Sequence, residues 1–186
     1  MSYKTSIGMV FSKLRIPANV WTLLILIPGL LSFYFIIEKE FIFAGAFFLV
    51  AMVVDVIDGA VAHVTTKVTG KGSFLDVIVT SYIEAFILFG LALASLPNLV
   101  IPASVWAMTA LFGFLGMEYS SLLAKQKGLI EKDWLHLVVK PTRLGLLAII
   151  VFSAAYDTVF AVSLLSVVAG ISVIAMLNRQ VKALYP

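Results

Sequence analysis

Six stretches too apolar for water constrain this chain before anything else: residues 20–37, 41–62, 74–96, 101–124, 138–156 and 159–177. Each approaches or exceeds the ~20 apolar residues that a helix needs to cross a bilayer, where every backbone polar group must be satisfied internally. Composition agrees, since 62% of the 186 residues are hydrophobic and 12% are charged, against about 25% charged in a soluble domain. A water-exposed globule is excluded. The expectation is an all-α integral membrane protein with six transmembrane helices, a single membrane domain over 1–186: a surface helix over 1–16 and a six-helix bundle over 17–186.

The N-terminal stretch mixes Lys4, Lys13 and Arg15 with Ile7, Met9, Val10, Phe11 and Leu14. It has neither the continuous apolar core nor the cleavage site of a signal peptide. An amphipathic helix lying on the membrane is one reading, and a flexible tail is the other. Within the first run, Pro28-Gly29 either kinks the helix or is simply tolerated there.

Orientation follows from the cations. With both termini on one side, Lys4, Lys13, Arg15, Lys67, Lys71, Lys125, Lys127, Lys132, Lys140, Arg143, Arg179 and Lys182 fall on that side and only Lys39 falls opposite. This asymmetry predicts cytoplasmic termini. The net charge of +3 then serves topology and anionic lipid or phosphate, and needs no nucleic acid to explain it. With no cysteine in the chain, thiolate metal sites and disulfides are excluded.

Acids inside the apolar runs point to chemistry. Asp55, Asp58, Asp76, Glu84 and Glu118 lie within the runs, where an ionised group costs at least ~2.5–3.5 kcal/mol unless it faces a partner, water or the bundle interior. Asp55 and Asp58 are three apart on one helical face, and Asp76 opens the next helix at a similar depth. The adjoining spans offer them little positive charge. An oxygen-only cluster of this kind suits a hard divalent cation, Mg²⁺, Mn²⁺ or Ca²⁺, which attracts phosphate. The competing reading has the acids bonded to lysines for packing.

The string Asp55-x-x-Asp58-Gly59-x-x-Ala62 followed by Gly72-x-x-x-Asp76 resembles the signature of the CDP-alcohol phosphotransferases. Pro17-Ala18-Asn19-Val20-Trp21-Thr22 is similar to the P-N-x-x-T that opens the first span in that family. The resemblance covers essentially the whole chain. It implies transfer of a lipid phosphate from a CDP-linked lipid to a small polar alcohol with release of CMP, at the cytoplasmic membrane edge. It implies metal ligation by Asp55, Asp58 and Asp76, and a nucleotide lying against those residues with Gly59, Ala62, His63 and Gly72. Homodimers are the family habit, and small-residue faces such as Gly113 and Gly116 permit close helix packing.

The chain departs from the family pattern at three positions. His63 stands where Arg is expected, Thr80 replaces the fourth Asp, which serves as base, and Ser121 replaces the Lys or Arg two residues after Tyr119. Threonine does not ionise near neutral pH and so makes no general base. Glu84, one turn beyond Thr80, is either a substitute base or a partner for Tyr82, Glu118 or a serine. Arg143, with Lys140 or Lys125, is placed to hold an anionic acceptor or lipid phosphate, or to anchor the cytoplasmic face. Trp134 and His136 read as interface anchors. Two functions stay open: an active metal-dependent transferase with an altered site, and a paralogue that binds metal and CDP-lipid without transfer. An ion pathway through the intramembrane acids is a weaker third, as no inverted repeat is evident.

Overall fold

The computed structural model describes residues 9–11, 16–64, 70–129 and 140–185, and within these it omits the side chains of Ala18, His63 and Lys125. Lys67, Trp134, His136 and most of the expected surface helix lie outside the described residues; residues 9–11 are helical. The remaining elements are α1 (Ala18–Leu24), α2 (Leu26–Ile37), α3 (Phe41–Val64), α4 (Gly70–Leu93), α5 (Ala103–Gln126), α6 (Lys140–Ala154) and α7 (Thr158–Leu184), with no strand among the described residues. Among the described residues, five segments are long and apolar enough to cross a membrane: Asn19–Ile37, Phe41–Ala62, Gly70–Leu93, Ala103–Ala124 and Thr158–Leu184. The fifth expected run appears as α6, with 15 described residues.

The first run is interrupted at Ile25, between α1 and α2, rather than at Pro28-Gly29 itself. A proline disturbs the turn that precedes it: Pro28 has no N–H for the Leu24 carbonyl, and its ring crowds that carbonyl. The Ile25 N–H instead donates to Thr22 O at 3.3 Å. Gly29 has a different use. It is buried against Ile83, whose side chain occupies the space a Cβ would need, so α2 and α4 approach closely there. Several helices also outrun their apolar segments. α3 continues to Val64, α4 begins at Gly70 and α7 continues to Leu184, because propagating an existing helix by one residue costs far less than starting one.

Packing runs α2 against α3 and α4, α4 against α5, α5 against α7, and α6 against both α3 and α7, with α1 seated on α3. Small residues line these contacts, among them Ala44, Ala51, Ala107, Ala110, Ala161 and Ala169, interleaved with Phe48, Phe114, Leu147 and Leu165. Large apolar side chains such as Ile27, Val53, Phe112, Ile149 and Ile174 point outward, as expected where the surrounding solvent is lipid. Gly113 and Gly116 are occupied within the chain: Ser172 and Met176 of α7 lie where a Cβ would project. The small-residue face that the sequence offered to a second copy is therefore covered by the chain's own last helix. At the opposite end of α7, Asp157 caps the helix, accepting from Val159 N at 2.8 Å and Phe160 N at 3.1 Å.

Gly113→Leu should force α5 and α7 apart and cost about 1–3 kcal/mol, lowering the thermal midpoint in detergent. Gly170→Leu, where a Cβ meets nothing within 4 Å, should leave that midpoint unchanged.

Candidate functional site

The helical periodicity of α3 puts Asp55 and Asp58 on one face near its end, and Asp76 lies in the second turn of α4. The tertiary fold adds a cation to them. Lys140, at the described start of α6, donates from Nζ to Asp55 Oδ1 and to Asp76 Oδ1, each at 2.7 Å. Asp58 is buried and turned toward α1, where its Oδ2 accepts from Thr22 Oγ1 at 2.6 Å. The acids that the sequence left short of positive charge are thus divided. Two share an ammonium and the third holds a hydroxyl, so no group of three acid or imidazole side chains gathers around one point among the described residues. The reason is distance along the chain: Lys140 is 85 positions from Asp55 and 64 from Asp76, beyond the reach of any local pattern.

Thr80 is buried one turn below Asp76, and its hydroxyl donates to the Asp76 backbone carbonyl at 2.8 Å. This is the usual back-bond of a helical threonine, and it commits the hydroxyl proton to the helix. A cavity of ≈ 10 Å³, room for about one water, lies against Asp55, Thr80, Ile83 and Leu144.

A second charged cluster lies deeper. Glu84 and Arg143 are 1% and 2% exposed, with Arg143 Nε 2.9 Å from Glu84 Oε1. Arg143 Nη2 also donates to Glu118 of α5, and the guanidinium carbon stands 5.4 Å from the centre of the Phe114 ring. The Glu84 contact is ionic rather than an aligned hydrogen bond, as neither Glu84 oxygen nor Arg143 Nε finds aligned geometry among the described residues. This arrangement differs from the sequence expectation in two ways. Glu84 meets Arg143 rather than Tyr82 or a serine, and Tyr82 is exposed on the outer face. Arg143, expected either to meet an anionic acceptor or to anchor the cytoplasmic face, lies between two acids. Burial gives the reason, because a guanidinium inside an apolar bundle persists only with its charge matched there.

The third departure from the family pattern also has a spatial answer. Arg179 of α7 donates from Nη1 to Ser121, and Gln180 Nε2 donates to Ser120 Oγ at 3.3 Å. A cation thus stands beside Ser121, carried by α7 two residues beyond the apolar run that the sequence marked. Gly59 is exposed and has no heavy atom within 4 Å of where its Cβ would be. Packing within the chain therefore does not require glycine at that position. Asn19 is exposed, whereas Ala62 and Gly72 are partly covered.

The donor set fits a hard divalent cation. Mg²⁺ is commonly bound through one or two carboxylates, with waters and substrate phosphates completing its shell, and Asp55 and Asp76 already face a common cation point.

Apolar helices enclosing buried charge, with carboxylates at one end of the bundle, define an integral membrane helical protein with a polar cluster at that end. The chain belongs to the CDP-alcohol phosphatidyltransferase family, which it matches over residues 15–177. Archaetidylinositol phosphate synthase of Pyrococcus horikoshii is 34% identical over 125 residues, covering 66% of this chain and 62% of that relative's length. Two crystal structures of phosphatidylinositol phosphate synthase from Mycobacterium tuberculosis share the fold at a TM-score of 0.81 and 16% identity. The one with CDP-DAG bound is covered to 94% by 98% of this chain, and the one in complex with manganese and citrate to 89% by 98%.

Removing Arg143 alone should leave Glu84 and Glu118 without a counter-charge. R143M is expected to lose about 3–5 kcal/mol, read by unfolding in detergent. R143M combined with E84Q and E118Q should recover most of that loss.

Proposed function

We propose that the chain transfers a lipid phosphate from a CDP-linked lipid to a small polar alcohol and releases CMP. The observation that carries this reading is the pairing of Asp55 and Asp76 across α3 and α4 at one cation point, within the Asp55, Asp58, Gly59, Ala62, Gly72, Asp76 spacing. Six spans, with both termini and the site on the cytoplasmic side, complete the reading, α6 joining the five longer apolar segments. A homodimer would have to use a face other than the one around Gly113 and Gly116.

Asp55, Asp58 and Asp76 would hold Mg²⁺ or Mn²⁺, which neutralises the charge building on the departing CMP. Asp58 has the shortest part to play while Thr22 holds it, and its release from that hydroxyl would bring the third carboxylate in. The open space beside Gly59 would admit the nucleotide against α3. The acyl chains would stay in lipid, fixing the reacting phosphate at the membrane edge. In the transfer step the acceptor hydroxyl oxygen bonds to the lipid-side phosphorus. The pyrophosphate P–O bond breaks, and CMP leaves with the electron pair. The hydroxyl proton has no carboxylate at position 80 to receive it and passes to water. Glu84 is held by Arg143 and acts in bracing the helices, as Arg143 does. Lys140, Lys125 and Arg179 remain as the cations that would meet an anionic acceptor or lipid phosphate.

A second reading, a paralogue that binds CDP-lipid without transfer, is favoured by the commitment of the Thr80 hydroxyl to the Asp76 carbonyl. CMP release separates the two. The full chain in detergent or nanodiscs with Mg²⁺ or Mn²⁺, CDP-lipid and a panel of alcohols should release CMP above background. Metal-dependent CDP-lipid binding without release would favour the second reading. T80D should raise the rate by on the order of 10², as restoring a general base does. Gly59→Leu should keep the melting midpoint and abolish CDP-lipid binding.

A further inference from the structure

Lys140 occupies the point that a divalent cation would need. Its ammonium bonds one oxygen from each of Asp55 and Asp76 at 2.7 Å, and two cations do not share such a position, because their repulsion adds to the loss of both sets of contacts. The two cations of α6 are held very differently. Arg143 is 2% exposed, its planar fork closed between Glu84 and Glu118. Lys140 is 27% exposed, and the Asp76 carboxylate it holds is 40% exposed, so the ammonium has solvent to move into. A lysine is suited to such movement, being a compact, well-hydrated charge on a flexible four-carbon stem. With Asp58 held by Thr22, the ammonium leaves the Asp55–Asp76 pair with one net negative charge. That is enough to attract a divalent ion but not to seat one while Lys140 stays.

We propose that Lys140 is a built-in competitor for the divalent cation: metal binds Asp55 and Asp76 by expelling the Lys140 ammonium, which swings out toward the face where the anionic substrate binds. The proposal rests on the metal-dependent reading above and adds to it a gate supplied by the chain itself. Loading of the site becomes an exchange of cations, so the protein without metal carries no uncompensated acid pair at the edge of the membrane.

Mn²⁺ binding to the full chain in nanodiscs, followed by the loss of the free-Mn²⁺ electron paramagnetic resonance signal, tests this. K140Q should bind Mn²⁺ about tenfold more tightly or better than the wild type, the size expected when one competing charge contact is removed. Equal or weaker binding by a folded K140Q would overturn the proposal and leave the metal site standing. Binding by neither protein would overturn both. A measurement on the wild type guards against a variant that fails to fold. Amine acetylation of Lys140, mapped by mass spectrometry, should speed up severalfold at saturating Mn²⁺. An unchanged or slower rate would show that the ammonium stays in place, which the proposal forbids.

Discussion

Charge placed inside a bilayer must be matched where it stands, and α6 is the helix on which that matching depends. Lys140 and Arg143, one turn apart, carry two cations into a bundle whose other helices bring acids: Asp55 from α3, Asp76 and Glu84 from α4, and Glu118 from α5. Each pair spans two helices, so the electrostatics act as cross-links among four of them. Buried ion pairs contribute little net stability compared with an apolar core, but removing one partner is costly. Their effect is therefore to fix which helices lie beside which, and at what depth.

The two pairings differ in depth and in kind. On α4 the acids at 76 and 84 are eight residues apart, about 12 Å along the axis, while the cations on α6 are three residues apart, about 4.5 Å. Long side chains absorb the mismatch, with Lys140 serving the outer acid and Arg143 the inner one. In the inner cluster Arg143 and Glu84 are enclosed, with the Phe114 ring beside the guanidinium, and the cluster behaves as a brace. The outer cluster is half-open, borders the uncrowded surface of Gly59, and is where a phosphate-bearing ligand has access. Thr80 lies between them, against the small cavity that also borders Asp55, and donates to its own helix.

Much of this was legible in local patterns. The apolar runs mark where the helices cross, and the Asp55, Asp58, Asp76 spacing marks the site, because both depend on positions a few residues apart. Helix ends were less legible: Pro28 acts on the carbonyl four residues earlier and moves the break to Ile25, and α7 runs past its apolar segment far enough to bring Arg179 to Ser121. Gly113 and Gly116 could be recognised as a packing face, but nothing local says that the face meets α7. Thr22 was marked by the opening pattern alone, and only the fold gives it a partner in Asp58.

The sequence by itself determined the solvent, the helical class and the family, because the bilayer demands long apolar helices and because the acids that break that demand follow a spaced pattern. Tertiary structure alone decided the partner of each acid. Lys140 and Arg143 meet residues between 25 and 85 positions away, and charge matching across helices has no period along the chain from which it could be read. Two cations that look alike in sequence thus take opposite parts, one locked inside the bundle and one at its open edge.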